Sequence, residues 1–177
     1  MRRPRTLLAV PAGLLVAVAT ALVLTVGSSA APTKSQALFE KTLLADAKTT
    51  ADVKQLLGDG GGFVAPDIIF ADLTGDGRSD AIVLVDTGGV AGAVAVYVFS
   101  TDGESAESDL RVVYRSPRLY RASAEVADGA LILSTPRFAE GDDVCCPAKI
   151  VRRTYAWSAG DKTLRQRRSE ELAGPTG

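Results

Sequence analysis

Two short stretches of this 177-residue chain hold residues whose types and spacing could do chemistry. The first, Asp72-Leu73-Thr74-Gly75-Asp76-Gly77-Arg78-Ser79-Asp80, has carboxylates at relative positions 1, 5 and 9 and glycines at 4 and 6. Oxygen donors spaced along a tight loop can converge on one point when glycine lets the backbone curl, which is what a hard cation such as Ca²⁺ requires. The candidate ligands are the side chains of Asp72, Thr74, Asp76 and Asp80 and the backbone carbonyl of Arg78. The loop is not an EF-hand, because its twelfth position is Val83 rather than a bidentate glutamate and a strand follows where a helix should. The same residues equally suit a metal-free turn in which Asp and Gly bond to the local backbone. Calcium is the one cofactor this sequence suggests.

The second stretch is the cysteine pair, Cys145-Cys146, followed by Pro147. Adjacent Cα atoms lie about 3.8 Å apart across a trans peptide, below the usual disulfide separation of about 4.4–6.8 Å. A bond between them closes an eight-membered ring, encloses almost no chain, and reduces more readily than a structural bridge. Four states therefore compete: a vicinal disulfide, two free thiols, an intermolecular bridge, or a soft-metal site for an ion such as Cu(I). Without a C-x-x-C at a helix start, a thioredoxin-like role is disfavoured. The strand that follows puts Val151, Arg153, Tyr155 and Trp157 on one face. Arg153, Tyr155 and Trp157 could bind a glycan or peptide; equally, they could be one side of an amphipathic sheet, with the arginine stacked on its neighbours.

Composition removes whole classes of function. There is no histidine, so Ser-His-Asp and Cys-His catalysis and His-ligated zinc or iron are excluded. The 20 basic and 21 acidic residues give a net charge of −1. The first 30 residues hold Arg2, Arg3 and Arg5 and no acid; without them 17 basic residues face 21 acidic ones, a net −4. An acidic domain is a poor ligand for nucleic acid. Gly60, Gly61 and Gly62 follow a helical pattern rather than a strand and carry no Lys-Ser/Thr, so they form no phosphate loop. Arg165, Arg167 and Arg168 are answered by Glu170 and Glu171, the pattern of a solvated strand edge. Apart from the Asp loop, no convergent acid–base set is visible, so the sequence predicts no enzyme.

The elements that must position these residues follow from hydropathy. Met1 to Arg5 is a basic start, Leu7 to Val26 an apolar run, and Gly27-Ser28-Ser29-Ala30 a small-residue end, which predicts a signal peptide over 1–30 cut after Ala30. The domain is then secreted or otherwise extracytoplasmic, and touches membrane only where the leader stays uncleaved. With no cysteine near this boundary, an N-terminal lipid-bearing cysteine is not expected. Residues 31–62 read as two short helices. Ser35 would cap the first, with Leu38, Phe39, Leu43, Leu44 and Ala47 on its apolar face; Thr50 would cap the second, with Val53, Leu56 and Leu57. From Ile68 the period falls to two. Strands are expected at Ile68–Asp72, Ala81–Asp86, Ala93–Phe99, Val112–Tyr114, Tyr120–Val126, Leu131–Leu133, Ile150–Trp157 and Thr163–Arg167. The Ala81–Val85 run is apolar on both faces and needs cover on both, while Asp128-Gly129 predicts a tight hairpin. The fold class is mainly β with two N-terminal helices (α+β): an antiparallel meander of seven or eight strands, as a curved sheet or a sandwich. The β-domain spans 63–172, and 173–177 is a disordered tail.

The Asp loop resembles the calcium loop of FG-GAP or VCBS-type repeats, D-x-[DN]-G-D-G-x-x-D leading into a strand, with Thr74 in place of the third acidic ligand. Those repeats come in arrays, and a single copy implies no propeller. The pairing of this loop with the later CCP-x5-R-x-Y-x-W strand resembles a group of uncharacterised bacterial secreted proteins and lipoproteins, over about Phe63 to Gln166. That resemblance implies an exported single β-domain of unknown activity. The expectation is a non-catalytic envelope or extracellular domain, a binding or structural module whose partner is an envelope protein or glycan. The alternative is a redox-responsive or metal-handling module built on Cys145 and Cys146.

Overall fold

The computed structural model describes residues 32–101 and 110–175. The predicted leader with its cut after Ala30 lies outside the described residues.

Helix α1 runs over Lys34–Ala45 and α2 over Ala51–Gly58. The cap of α1 is Thr33, not Ser35: Thr33 Oγ1 accepts from Gln36 N–H at 3.2 Å, and Gln36 Oε1 accepts from Thr33 N–H at 2.8 Å. A glutamine three residues after a threonine closes this reciprocal box, whereas Ser35 has Leu38 at that place. The buried face of α1 is Gln36, Phe39 and Leu43. Thr50 is the N-cap residue of α2, which buries Val53 and Leu57. Helices this short are marginal alone and depend on what they pack against.

Two antiparallel sheets follow. The first contains β1 (Phe63–Val64), β2 (Ile69–Ala71), β3 (Asp80–Asp86), β4 (Ala93–Thr101) and β5 (Leu110–Ser116). β1 and β2 pair in succession with the same side of β3, and β4 pairs with its other side. The second is a meander of β6 (Ser123–Ala127), β7 (Ala130–Arg137), β8 (Lys149–Ser158) and β9 (Thr163–Ala173). The described strands thus number nine, because Phe63–Val64 adds a two-residue strand that carries no period of its own.

β3 and β4 alternate between two cores. Ala81, Val83, Val85, Ala95, Tyr97 and Phe99 pack with Phe39, Leu43, Val53 and Leu57 of the helices. Ile82, Val96 and Val98 pack the other way, with Tyr114, Leu131, Leu133 and Leu164. The first sheet is therefore the middle of three layers, covered by helices on one face and by the second sheet on the other.

The chain crosses between sheets at Arg118 and Arg121, whose φ values of 60° and 46° are left-handed. Leu119, Arg121 and Ala122 donate backbone N–H to Val94, Ala91 and Ala93, so residues expected to begin a strand at Tyr120 instead hug the start of β4. Ala122, Ala124 and Val126 then face the second core as their alternation predicts. Ala127 pairs with Ala130 across Asp128-Gly129, the two-residue turn of the predicted hairpin, with φ of 51° and 69°. β7 continues through Pro136 to Arg137, beyond the expected loop boundary. Pro136 pairs only with Ile150 of β8, past the end of β6, so its missing N–H faces no partner strand.

An ion pair fastens the helices to the first sheet. Asp46, just past α1, accepts from Arg115 Nε at 2.9 Å and Nη2 at 2.6 Å. Burial pushes the Asp46 carboxyl upward, but the hydrogen bonds from Arg115 and from Lys48 N–H outweigh it and hold the carboxyl below its ordinary 3.8. A depressed carboxyl contributes stability above its unfolded value and loses it as pH falls through the folded value. Arg115→Leu should therefore lower unfolding free energy by about 1–2 kcal/mol at neutral pH. The gap to wild type should close as pH is lowered below 3.8; a gap independent of pH in urea titrations would refute the assignment.

Candidate functional site

The Asp loop joins β2 to β3, and its carboxylates turn to its own backbone. Asp80, the first residue of β3 and 1% exposed, accepts through Oδ2 from Leu73 N–H at 2.8 Å and Thr74 N–H at 2.9 Å. Asp72 accepts from Gly75 N–H at 2.7 Å through Oδ1 and from Gly77 N–H at 2.9 Å through Oδ2. Asp76 accepts from Arg78 N–H at 2.9 Å and pairs with the Arg78 guanidinium at 3.2 Å. The Arg78 N–H, before the ion pair, is what holds the Asp76 carboxyl below its ordinary value. Gly75 and Gly77 sit at φ 75° and 82°, where a Cβ would strain the backbone.

Three carboxylates on one metal would have to share a centre. Here each faces a different set of N–H groups, and no three acidic residues among the described residues gather closely enough to hold an ion. Thr74 Oγ1, the remaining side-chain donor, is buried without a hydrogen bond. In the structure the loop is a self-bonded turn.

The cysteines sit in the loop between β7 and β8. Cys145 and Cys146 are joined as a vicinal disulfide, with Cys145 exposed, Cys146 half-buried and Pro147 buried. The hub of this loop is Asp142, whose Oδ2 accepts from Ala139 N–H at 2.7 Å and Ala148 N–H at 2.6 Å, drawing the two ends together. Cys146 N–H donates to Asp143 O at 2.9 Å, and the Arg121 guanidinium donates to Val144 O. The end of β9 closes the far side. Gly174 N–H donates to Ala148 O at 2.9 Å, and a Cβ at 174 would lie 1.7 Å from Pro147 O, so only glycine fits. The loop thus carries the disulfide on a fixed frame with Cys145 at the surface, and a disulfide there can exchange with an incoming thiolate that reaches it.

The aromatic stripe of β8 is turned largely inward. Tyr155 and Trp157 are half-buried against the second core, the Tyr155 ring lies 5.1 Å from that of Tyr114, and Trp157 pairs with Leu164. Arg153 is half-buried on the same face and reaches Thr135 Oγ1 at 3.4 Å. These three residues share a face, as their spacing predicts, but the two aromatic side chains serve packing between the sheets. Two buried tyrosines stay protonated at neutral pH: burial pushes Tyr97 up to about 12 and raises Tyr114 as well.

Sequence reasoning passed over Asp142 and the Asp46–Arg115 pair. Asp142 lies among Glu140, Gly141 and Asp143, where a turn-forming aspartate could have been suspected. Arg115 lies 69 residues from Asp46, and nothing local announces that contact.

The loop bonds differ in burial and so in what their removal should do. Asp80→Ala should cost about 2–4 kcal/mol, because two N–H groups lose their acceptor in a buried setting. Asp72→Ala, at exposed N–H groups, should cost less than about 1 kcal/mol. Equal losses in chemical denaturation would mean that something binds all three carboxylates together.

No family model matches the chain, and no solved structure matches it. Among curated proteins it is similar to lipoprotein CseA of Streptomyces avermitilis, with 32% identity over 168 residues that cover 94% of this chain and 74% of that protein.

Proposed function

The chain belongs to the family of the lipoprotein CseA, and from that premise we propose that it is a non-catalytic binding or structural module of the bacterial envelope. Family membership supports an extracytoplasmic protein, anchored or secreted. The observation that carries the finer reading is the state of its acids. Asp72, Asp76, Asp80 and Asp142 are engaged by backbone N–H groups, and Asp46 by Arg115. A general acid or base must instead be free to reach a substrate proton. Two surface depressions of about 420 Å³ agree: one has Asp46 as its sole carboxylate and the other has none.

On this reading the leader is removed after Ala30 and the module folds outside the cytoplasmic membrane. Intact mass of the protein recovered from a native host should correspond to a chain starting at Ala31. A chain retaining Met1 in the membrane fraction would make the leader an anchor, and a chain retaining it in the cytoplasm would defeat the proposal.

The exposed Cys145–Cys146 ring favours a second reading, a redox-responsive loop. The same spectrum tests it. A mass lower by about two hydrogens that resists alkylation until reductant is added would establish the ring in the exported protein. Two thiols alkylated without reductant would remove the redox reading and leave the binding or structural one.

Calcium would be an added occupant of the Asp loop, and it would have to compete with the loop's own N–H groups. Melting curves in Ca²⁺ and in chelator should therefore coincide. A rise in melting temperature with Ca²⁺ that Asp76→Ala abolishes would restore the cation to the loop.

A further inference from the structure

The longest described strand, β9, is also the outer edge of the second sheet: its one ladder partner among the described residues is β8, and Arg165 through Ser169 and Glu171 through Ala173 are exposed. A long exposed edge offers unpaired N–H and C=O groups to any other strand, and proteins blunt such edges with charge. The charge here is arranged in an unusual order. Arg165, Arg167 and Arg168 fill the first half, Glu170 and Glu171 the second, and Ser169 stands between. An edge charged with one sign repels a copy of itself. An edge with its signs segregated about a midpoint repels a parallel copy but attracts an antiparallel one.

We propose that β9 is a homodimer interface, pairing antiparallel with β9 of a second copy about a two-fold axis through Ser169. Arg168 then lies opposite the second copy's Glu170 and Arg167 opposite its Glu171, each contact made twice by symmetry. Such an isologous contact closes after two chains.

The free backbone groups fall in the register this needs. Gly174 N–H donates to Ala148 O, so 148 and 174 form a hydrogen-bonded pair. Antiparallel pairs alternate between bonded and non-bonded. Counting back along the ladder, Leu172, Glu170 and Arg168 are bonded to β8, and Ser169, Glu171 and Ala173 direct their N–H and C=O outward. Ser169 therefore meets Ser169 of the second copy in a bonded pair, and Arg167 lies opposite Glu171 at the bulge. Thr154 pairs with Arg168 and Tyr155 with Gln166, which makes Arg167 the extra residue of a bulge. The added twist there confines the paired span to about Arg167–Glu171.

Within one chain these charges have weak alternatives. Arg168, 71% exposed, reaches the half-buried Glu170 at 2.8 Å on the same strand, and Glu171 meets Lys149 at 2.7 Å and the Arg137 guanidinium on the surface. Exposed pairs of this kind contribute little, so exchanging them for cross-strand pairs in a closed ladder is favourable.

Sedimentation equilibrium of the mature full chain across a concentration series tests this. The wild type should reach a dimer mass and dissociate towards monomer in 1 M NaCl, where the screening length is about 3 Å. Glu170→Arg/Glu171→Arg and, separately, Arg167→Glu/Arg168→Glu should each weaken dimerisation by about tenfold or more. An equimolar mixture of the two variants should recover a dimer, because every opposing pair is again of opposite sign. That recovery cannot arise if either variant is misfolded. A wild-type monomer at every concentration, a dimer indifferent to both charge reversals, or variants that stay monomeric when mixed would each overturn the proposal.

Discussion

A strand that is apolar on both faces cannot rest on a surface, and β3 is such a strand. Its backbone alternates Ala81, Val83 and Val85 to one side and Ile82 and Leu84 to the other. Leaving either set in water would forfeit about 25 cal/mol for each Å² of apolar surface. Both sides must be covered, and two different kinds of structure do it. The helices, too short to hold together alone, lay Phe39 and Leu43 against one side, with the Phe39 and Phe99 rings 4.8 Å apart. The second sheet lays Leu131 and Leu133 towards the other. The Asp46–Arg115 pair and the bond from Gln36 Nε2 to Val64 O at 2.7 Å fix where the helices sit on that surface.

The polar features hang from this frame at its ends. Asp80 opens β3, so the strand's first side chain closes the loop that precedes it, and the Asp loop becomes a cap on the central strand. The cysteine loop connects β7 to β8 and is held by Asp142 and by the end of β9. Both loops turn aspartates to their own backbone N–H groups, and the cysteine loop leaves Cys145 and the apolar Val144, 57% exposed, at the surface. Similarity to a lipoprotein gives these features an extracytoplasmic setting, where thiols are readily oxidised.

Much of this was legible in the residues, for reasons that can be named. The two-sided run of β3, the clean alternation from Ala122 to Val126 and the Asp128-Gly129 turn are local signals with local causes, and each appears where its pattern places it. The misplaced boundaries have causes a single sequence hides. Ser35 and Thr33 both look like helix caps, and Gln36 decides between them. β9 runs on from Arg167 to Ala173 because its partner β8 supplies the pairing, whereas its own exposed, charged residues carry no strand period. The aromatic stripe of β8 could have faced solvent or core, and only the position of the opposing sheet settles that. At the Asp loop the spacing of the acids was plain, but which atoms they would bond depended on how the backbone N–H groups turned.

The central claim is that β3 binds three layers into one cooperative unit. Native-state hydrogen exchange along a denaturant series tests it most directly. The amides of β3 and β4 should be the slowest in the chain, opening only with global unfolding, and those of α1 and β7 should merge with them at the same free energy. Persistent protection of β7 and β8 after β3 has exchanged would contradict the account, because the second sheet would then stand without the strand said to hold it.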